Sequence, residues 1–143
     1  LIEIMMVVAI IGLTLTLGIP GFLRSLKKEG MRKAESDLVE ACQDARRAAI
    51  MNNKTTDLVF HPLEGSFEVP GSFPQARFPD EIVIDIMGVN FIQVEKADEA
   101  RIHFFPNGTS DEFTIVIRST SDGSQRLIHL DTVTALAVVE NQR

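Results

Sequence analysis

Two hydrophobic rhythms divide this chain. Its first 23 residues, LIEIMMVVAIIGLTLTLGIPGFL, are apolar almost throughout, and Glu3 is the one charge among them. Twenty uncharged residues follow it, and as a helix they rise about 30 Å, the thickness of a bilayer's hydrocarbon core. The pattern predicts a membrane helix over 1–23. A secretory signal would be shorter, with a basic start and a small-residue cleavage site. A soluble core helix of this length and uniformity would be unusual. Gly12, Gly18, Pro20 and Gly21 are irregularities that membrane helices tolerate. Pro20 removes one helical hydrogen bond and crowds the preceding turn, which predicts a kink or local melting between Gly18 and Gly21.

From Arg24 the composition becomes charged, but the helical period persists. Met31, Ala34, Leu38, Ala41, Cys42, Ala45 and Ala49 recur at three- and four-residue steps. They form one apolar stripe on an amphipathic helix over 24–53, and Asn52-Asn53-Lys54 supplies its stop. After Lys54 the period falls to two. DLVFHP and SFEVP flank Leu63-Glu64-Gly65 as a hairpin, and in EIVIDIMG the alternation sets Ile82, Ile84 and Ile86 on one face. NFIQVE, ARIHFF, FTIVIRS, QRLIHL and TVTALAVV read as further strands, with turns at PNGTSDE and SDGS. In FTIVIRS, Phe113, Ile115 and Ile117 share a face. The Pro- and Gly-rich SFEVPGSFPQARFPDE is expected to loop. The predicted fold is α+β: one long N-terminal helix packed on an antiparallel β head spanning 54–143.

Charge changes the picture next. The net charge is −6, but residues 24–54 carry eight Lys/Arg against five Asp/Glu, whereas 55–143 carry six against fourteen. So acidic a head is a poor match for nucleic acid, and no basic-aromatic alternation offers a stacking platform. The terminal VVENQR adds only Arg143 beside Glu140. The basic run Arg24, Lys27, Lys28, Arg32 and Lys33 suits anionic headgroups at the foot of the membrane helix. Taken alone, that run would keep the following domain cytoplasmic.

Catalytic chemistry has no foothold. The chain lacks Gly-x-Ser-x-Gly, His-Glu-x-x-His, a glycine-rich phosphate loop and Cys-x-x-Cys. His61, His103 and His129 lie in separate strands without metal-ligand spacing and read as surface or edge residues. Asp111 and Glu112 lack the alternating oxygen ligands of a calcium loop and read as a solvated turn. Cys42 is the single cysteine, so no internal disulfide forms, and its place on the stripe makes it a small core residue. No enzyme activity, cofactor or metal is expected.

Glu3 remains to be explained, since a carboxylate in such a segment costs a few kcal/mol unless neutralised. LIEIMMVVAIIGL, with Pro20 beyond it, resembles the N-terminal segment of type IV pilins and type II secretion pseudopilins. In that family a prepilin peptidase removes a short basic leader before Phe-Thr-Leu-Ile-Glu and methylates the new amine. The Phe-Thr is absent, and there is no initiator Met, so the resemblance implies that the chain begins two residues inside a mature one. ACQDARRAAIMNNKTTDLVF, IHFFPNGTSDEFTIVI and TVTALAVV are similar to the H-type minor pseudopilins (the GspH/FimT-like group). These carry AR-x-x-A before the first strand, an F-x-P-x-G-T-S hairpin and a closing Thr-Gly-Arg, which here is Thr134-Ala135-Leu136.

The resemblance implies that Glu3 meets the N-terminal amine of a neighbouring subunit inside a filament. Paired in low dielectric the two charges attract strongly, whereas a mismatched subunit would bury Glu3 alone, so the residue sets register. On spacing alone, a carboxylate reaching back to the headgroups serves equally well. Leu1, Ile2, Ile4, Met5, Val8 and Ile11 would pack in the filament core. The implied partners are other pseudopilin or pilin subunits, the inner membrane and the prepilin peptidase, with no nucleic acid. The implied location is the bacterial inner membrane, single-pass, with the leader setting the head in the periplasm. Three functions follow: a minor subunit of a type II secretion pseudopilus, a FimT-like minor pilin in DNA uptake, or an unrelated single-pass protein with a binding head.

Overall fold

The computed structural model describes residues 1–142; Arg143 and the side chains of Arg24 and Lys27 lie outside the described residues. Helix α1 runs unbroken from Ile2 to Asn52, and its 51 residues span about 77 Å. The melting expected around Pro20 is absent, because Gly18 to Gly21 all remain helical. Proline deletes a single backbone hydrogen bond, and the bonds on either side carry the helix through. At the other end Asn53 adopts the left-handed conformation (φ 50°, ψ 39°), and its N–H donates to the Ala49 carbonyl. Asparagine is the residue after glycine that tolerates this cap, which is why the Asn pair terminates the helix.

Nine strands follow: β1 (Thr56–His61), β2 (Ser66–Val69), β3 (Phe73–Arg77), β4 (Ile82–Val89), β5 (Ile92–Gln93), β6 (Ala100–Phe104), β7 (Phe113–Ser119), β8 (Gln125–Asp131) and β9 (Leu136–Gln142). They form two antiparallel sheets, ordered β3-β2-β1-β6 and β5-β4-β7-β8-β9. The architecture is pilin-like: a long N-terminal helix whose second half packs on antiparallel strands. Every member of the predicted helix stripe is buried, from Met31 to Ala49, against Phe60, Phe67, Phe113, Ile115 and Ile128. Four alanines on that stripe remove side-chain bulk and let the helix backbone approach the sheets. Phe60 is the hub of an aromatic cluster, with ring centroids 5.3 Å from Phe67, 5.8 Å from Phe78 and 6.4 Å from Phe113.

Four expectations need correction. The segment read as a loop contains β3, which pairs with β2 through Ser66–Arg77 and Val69–Phe73. Pro74 fits there because β3 is a sheet edge, where an absent N–H breaks no ladder. Ile82, Ile84 and Ile86 do not share one face. The β4–β7 register shifts between Ile84 and Ile86, so Asp85 is the extra residue of a bulge, Ile86 turns outward and Met87 is fully buried. NFIQVE yields only the two-residue β5, and TVTALAVV becomes a strand only from Leu136.

Asp85 explains its own bulge. Both of its carboxylate oxygens accept from Arg118, at 2.9–3.2 Å, and one also accepts from Gln125 at 3.1 Å. The hydrogen bonds and charge of Asp85 hold the Arg118 guanidinium above its ordinary pKa. An extra residue that re-aims a side chain toward partners on two neighbouring strands is a common use of a bulge.

Candidate functional site

The helix is amphipathic only where the head covers it. All described side chains from Leu1 to Leu26 are exposed, and burial begins at Met31. The apolar half is long and apolar enough to cross a membrane, by length and composition. Leu1, Ile4, Met5, Val8 and Ile11 fall on one side at 100° per residue, with Ile2 beside them, and all are exposed. Glu3, in the first turn of α1, points to the other side with Val7, Ile10 and Thr14. A helix that is apolar all round is built to be surrounded, by lipid or by other helices.

Its polar groups are arranged accordingly. The Thr14 hydroxyl donates to the Ile10 and Ile11 carbonyls at 3.0 and 2.9 Å, and that of Thr16 to Leu13 at 2.8 Å. Each hydroxyl hydrogen is satisfied within the helix, which suits a medium without water. Glu3 has no such internal partner among the described residues. Its carboxylate sits near the positive end of the helix dipole, a modest stabilisation in water. Beyond the neighbouring helix backbone, no described atom lies within 4 Å of a Cβ built at Gly12, Gly18 or Gly21. In the basic run, Lys33 pairs with Asp37 at 3.3 Å, and Lys28 and Arg32 are exposed.

The stretches that carry the H-type resemblance, scattered in sequence, meet at one end of the head. Arg46, of AR-x-x-A, donates from Nε to the Thr134 carbonyl at 2.8 Å. Ser110, closing F-x-P-x-G-T-S, donates its N–H to the Thr132 carbonyl at 3.0 Å. Gly108 takes φ 85° and would place a side chain 3.9 Å from Arg46 and Ile50. Ala135 stands where the resemblance expects glycine, and its φ of 53° is the left-handed conformation that glycine favours. Helix end, hairpin turn and closing turn thus brace one another, and they fix how the exposed helix half is carried on the head.

The histidines do not converge. His103 Nδ1 lies 2.5 Å from Asp57, His61 contacts the Asp98 carbonyl, and His129 belongs to β8. Among the described residues no group of His, Cys, Asp or Glu is arranged to hold a metal. Asp111 and Glu112 are not merely solvated: Asp111 accepts from the His103 N–H at 3.1 Å, and Glu112 accepts from Phe91 N–H at 3.1 Å and the Thr114 hydroxyl at 2.9 Å. Sequence reasoning passed over that Glu112 clamp and the turn it holds at Asn90-Phe91. Asn followed by a single residue between two β-branched stretches was the available sign.

Chain-level comparison returns no match among family models, characterised proteins or solved structures, so this pilin-like arrangement rests on the chain's own residues.

Proposed function

We propose that this protein is a structural subunit of a membrane-anchored filament, assembled through the exposed half of α1. One observation carries the reading: a single unbroken helix whose second half is seated in the head while its first half is apolar all round and left exposed by the described residues. Such a half-helix needs lipid before assembly and other helices after it, and one segment serves both because lipid tails and apolar helix faces are interchangeable surroundings. The resemblance of residues 1–24, and the meeting of the three H-type stretches, favour a minor subunit of a type II secretion pseudopilus, non-enzymatic, with its head in the periplasm. Against the DNA-uptake pilin, the head from residue 55 onward carries six basic residues against fourteen acidic ones. Phosphates would be repelled overall.

Glu3→Ala tests the reading. The head lies beyond residue 30, so the variant folds and inserts as before, and incorporation into filaments, read by crosslinking between N-terminal helices, falls. Glu3→Gln behaves like Ala if charge pairing sets the register. Undiminished incorporation of both variants would remove the register role. A gel-shift titration with single- and double-stranded DNA separates the uptake reading, which requires micromolar binding that weakens steeply with salt.

A further inference from the structure

An open sheet ends in strands whose outward backbone groups lack a partner, and native proteins blunt such edges with proline, bulges, short length or a covering loop. Three of the four edges in this head are blunted in one of these ways. β3 carries Pro74 and meets β2 across a register shift. β5 has only two residues. β6 is covered by the turn that follows it. There the His103 N–H donates to the Asp111 carboxylate at 3.1 Å, the Asp111 N–H donates to the His103 carbonyl at 2.9 Å, and Phe104 bridges to Ser110. β9 is the exception. It runs seven residues without proline and pairs with β8 in unbroken register, from Asp131–Leu136 to Gln125–Gln142. Among the described residues, the backbone of 137–142 bonds to β8 alone.

The open edge lies beside a groove. Val39, Glu40 and Gln43 of α1 stand on one side of it, Ala137 and Val139 on the other, and the space between is about 670 Å³. Ala137 and Val139 are half-buried on the helix side of β9, whereas Leu136 and Val138 are 47% and 41% exposed on the opposite face. Apolar side chains therefore flank the unpaired backbone on both faces over four consecutive residues, and the first charge is Glu140. Along the groove, Arg47 matches Asp44 at 3.1 Å and Arg126 matches Glu35 at 3.6 Å. Glu40 and Glu140 have no ion-pair partner among the described residues, and Arg32 is one cation against these two acids.

This chemistry specifies its occupant. A row of alternating N–H and C=O groups is matched by another extended backbone, and apolar groups on both faces ask for a strand that is apolar at consecutive positions. The unmatched carboxylates favour Lys or Arg at the flanks of that strand. We infer that β9 is a docking edge, where an extended segment of a different protein joins the five-stranded sheet as its new outer strand. A second copy is a poor source of that segment. Its other edges are blunted, so it could offer only its own β9. That strand descends along α1, from Leu136 beside Ile50 to Asn141 opposite Arg126, the partner of Glu35. Antiparallel pairing of two β9 strands would point their N-terminal helices in opposite directions, which one membrane cannot hold with both heads on the same side. The inference goes beyond the filament reading and uses only its membrane-anchored helix.

Hydrogen exchange of the full chain in detergent micelles tests it, with the acetylated peptide Lys-Thr-Val-Ile-Val-Val-Thr-Lys as the probe. Lysine at both ends makes the probe indifferent to strand direction. At saturation it should slow amide exchange across residues 136–140 about tenfold. A control peptide with proline at both central positions lacks N–H groups on both of its edges and should give no protection. Val139→Lys sets a charge into the groove from the strand, and Val39→Lys does so from the helix. Each should weaken probe binding about tenfold. Val39 is outside the buried stripe, so its variant keeps the parent's melting temperature and stands as the test should Val139→Lys unfold the head. The inference is overturned by unchanged exchange in β9, by equal protection from the proline control, by binding that survives both substitutions, or by protection at the Asn90-Phe91 turn instead. Concentration-dependent protection of β9 without peptide would assign the edge to a second copy and overturn the assignment to a different protein. These readouts need no filament, so their failure leaves the Glu3 test of the filament reading standing, and loss of the register role leaves the docking edge standing.

Discussion

Arg46→Met probes the brace that ties the helix to the closing turn. Methionine keeps an unbranched stem of similar reach but removes the Nε–H that donates to the Thr134 carbonyl at 2.8 Å. A hydrogen bond from a charged donor contributes about 1.5–3 kcal/mol when shielded. This one faces solvent, and the freed carbonyl can bind water, so the expected loss is about 1 kcal/mol. For a chain of 143 residues that corresponds to a fall in Tm of about 3–5 °C. Thermal unfolding of the full chain in detergent micelles, followed by circular dichroism, measures it. Arg46→Lys should lose most of the same stability, because an ammonium lacks the fixed Nε–H geometry. The second readout is local. Ser110 N–H, bound to Thr132, and Ala135 N–H, bound to Asp131, should exchange with solvent faster once the turn is released. A Tm within about 1 °C of the parent, with unchanged exchange at both amides, would refute the bracing argument.

Two further outcomes follow from single positions. The atoms nearest a methyl group at Gly30 all belong to the flexible Glu81 side chain, so Gly30→Ala should raise stability by about 0.8 kcal/mol through helix propensity once Glu81 swings aside; a lower Tm would mean that Glu81 is held in place. Burial pushes the Cys42 thiol up to about 12. The folded state therefore favours the neutral thiol, a contribution whole below the unfolded value near 8.5 and lost as pH rises toward 12. Cys42→Ala should flatten that alkaline loss of stability relative to the parent, and superimposable pH–stability curves would contradict it.

The helix was legible in the residues themselves. Its apolar first half needs only a window of hydropathy, its second half only a 3.6-residue period, and its stop only an Asn able to turn left-handed at position 53. Phe113, Ile115 and Ile117 could likewise be placed on one face, because the extra residue of the β4–β7 pair belongs to β4 and β7 itself keeps an unbroken alternation. The resemblance at Glu3 was equally local. What escaped were features whose cause lies on another strand. Ile86 turned outward because Asp85 bulges to reach Arg118 and Gln125, 33 and 40 residues away. Pro74 entered a strand because β3 happened to be an edge. Phe91 accepted a glycine conformation because Glu112 clamps the turn from 21 residues further along. A period reports the preference of a segment for its own two faces, whereas register, edges and clamps are set by neighbours that only the assembled sheets bring together.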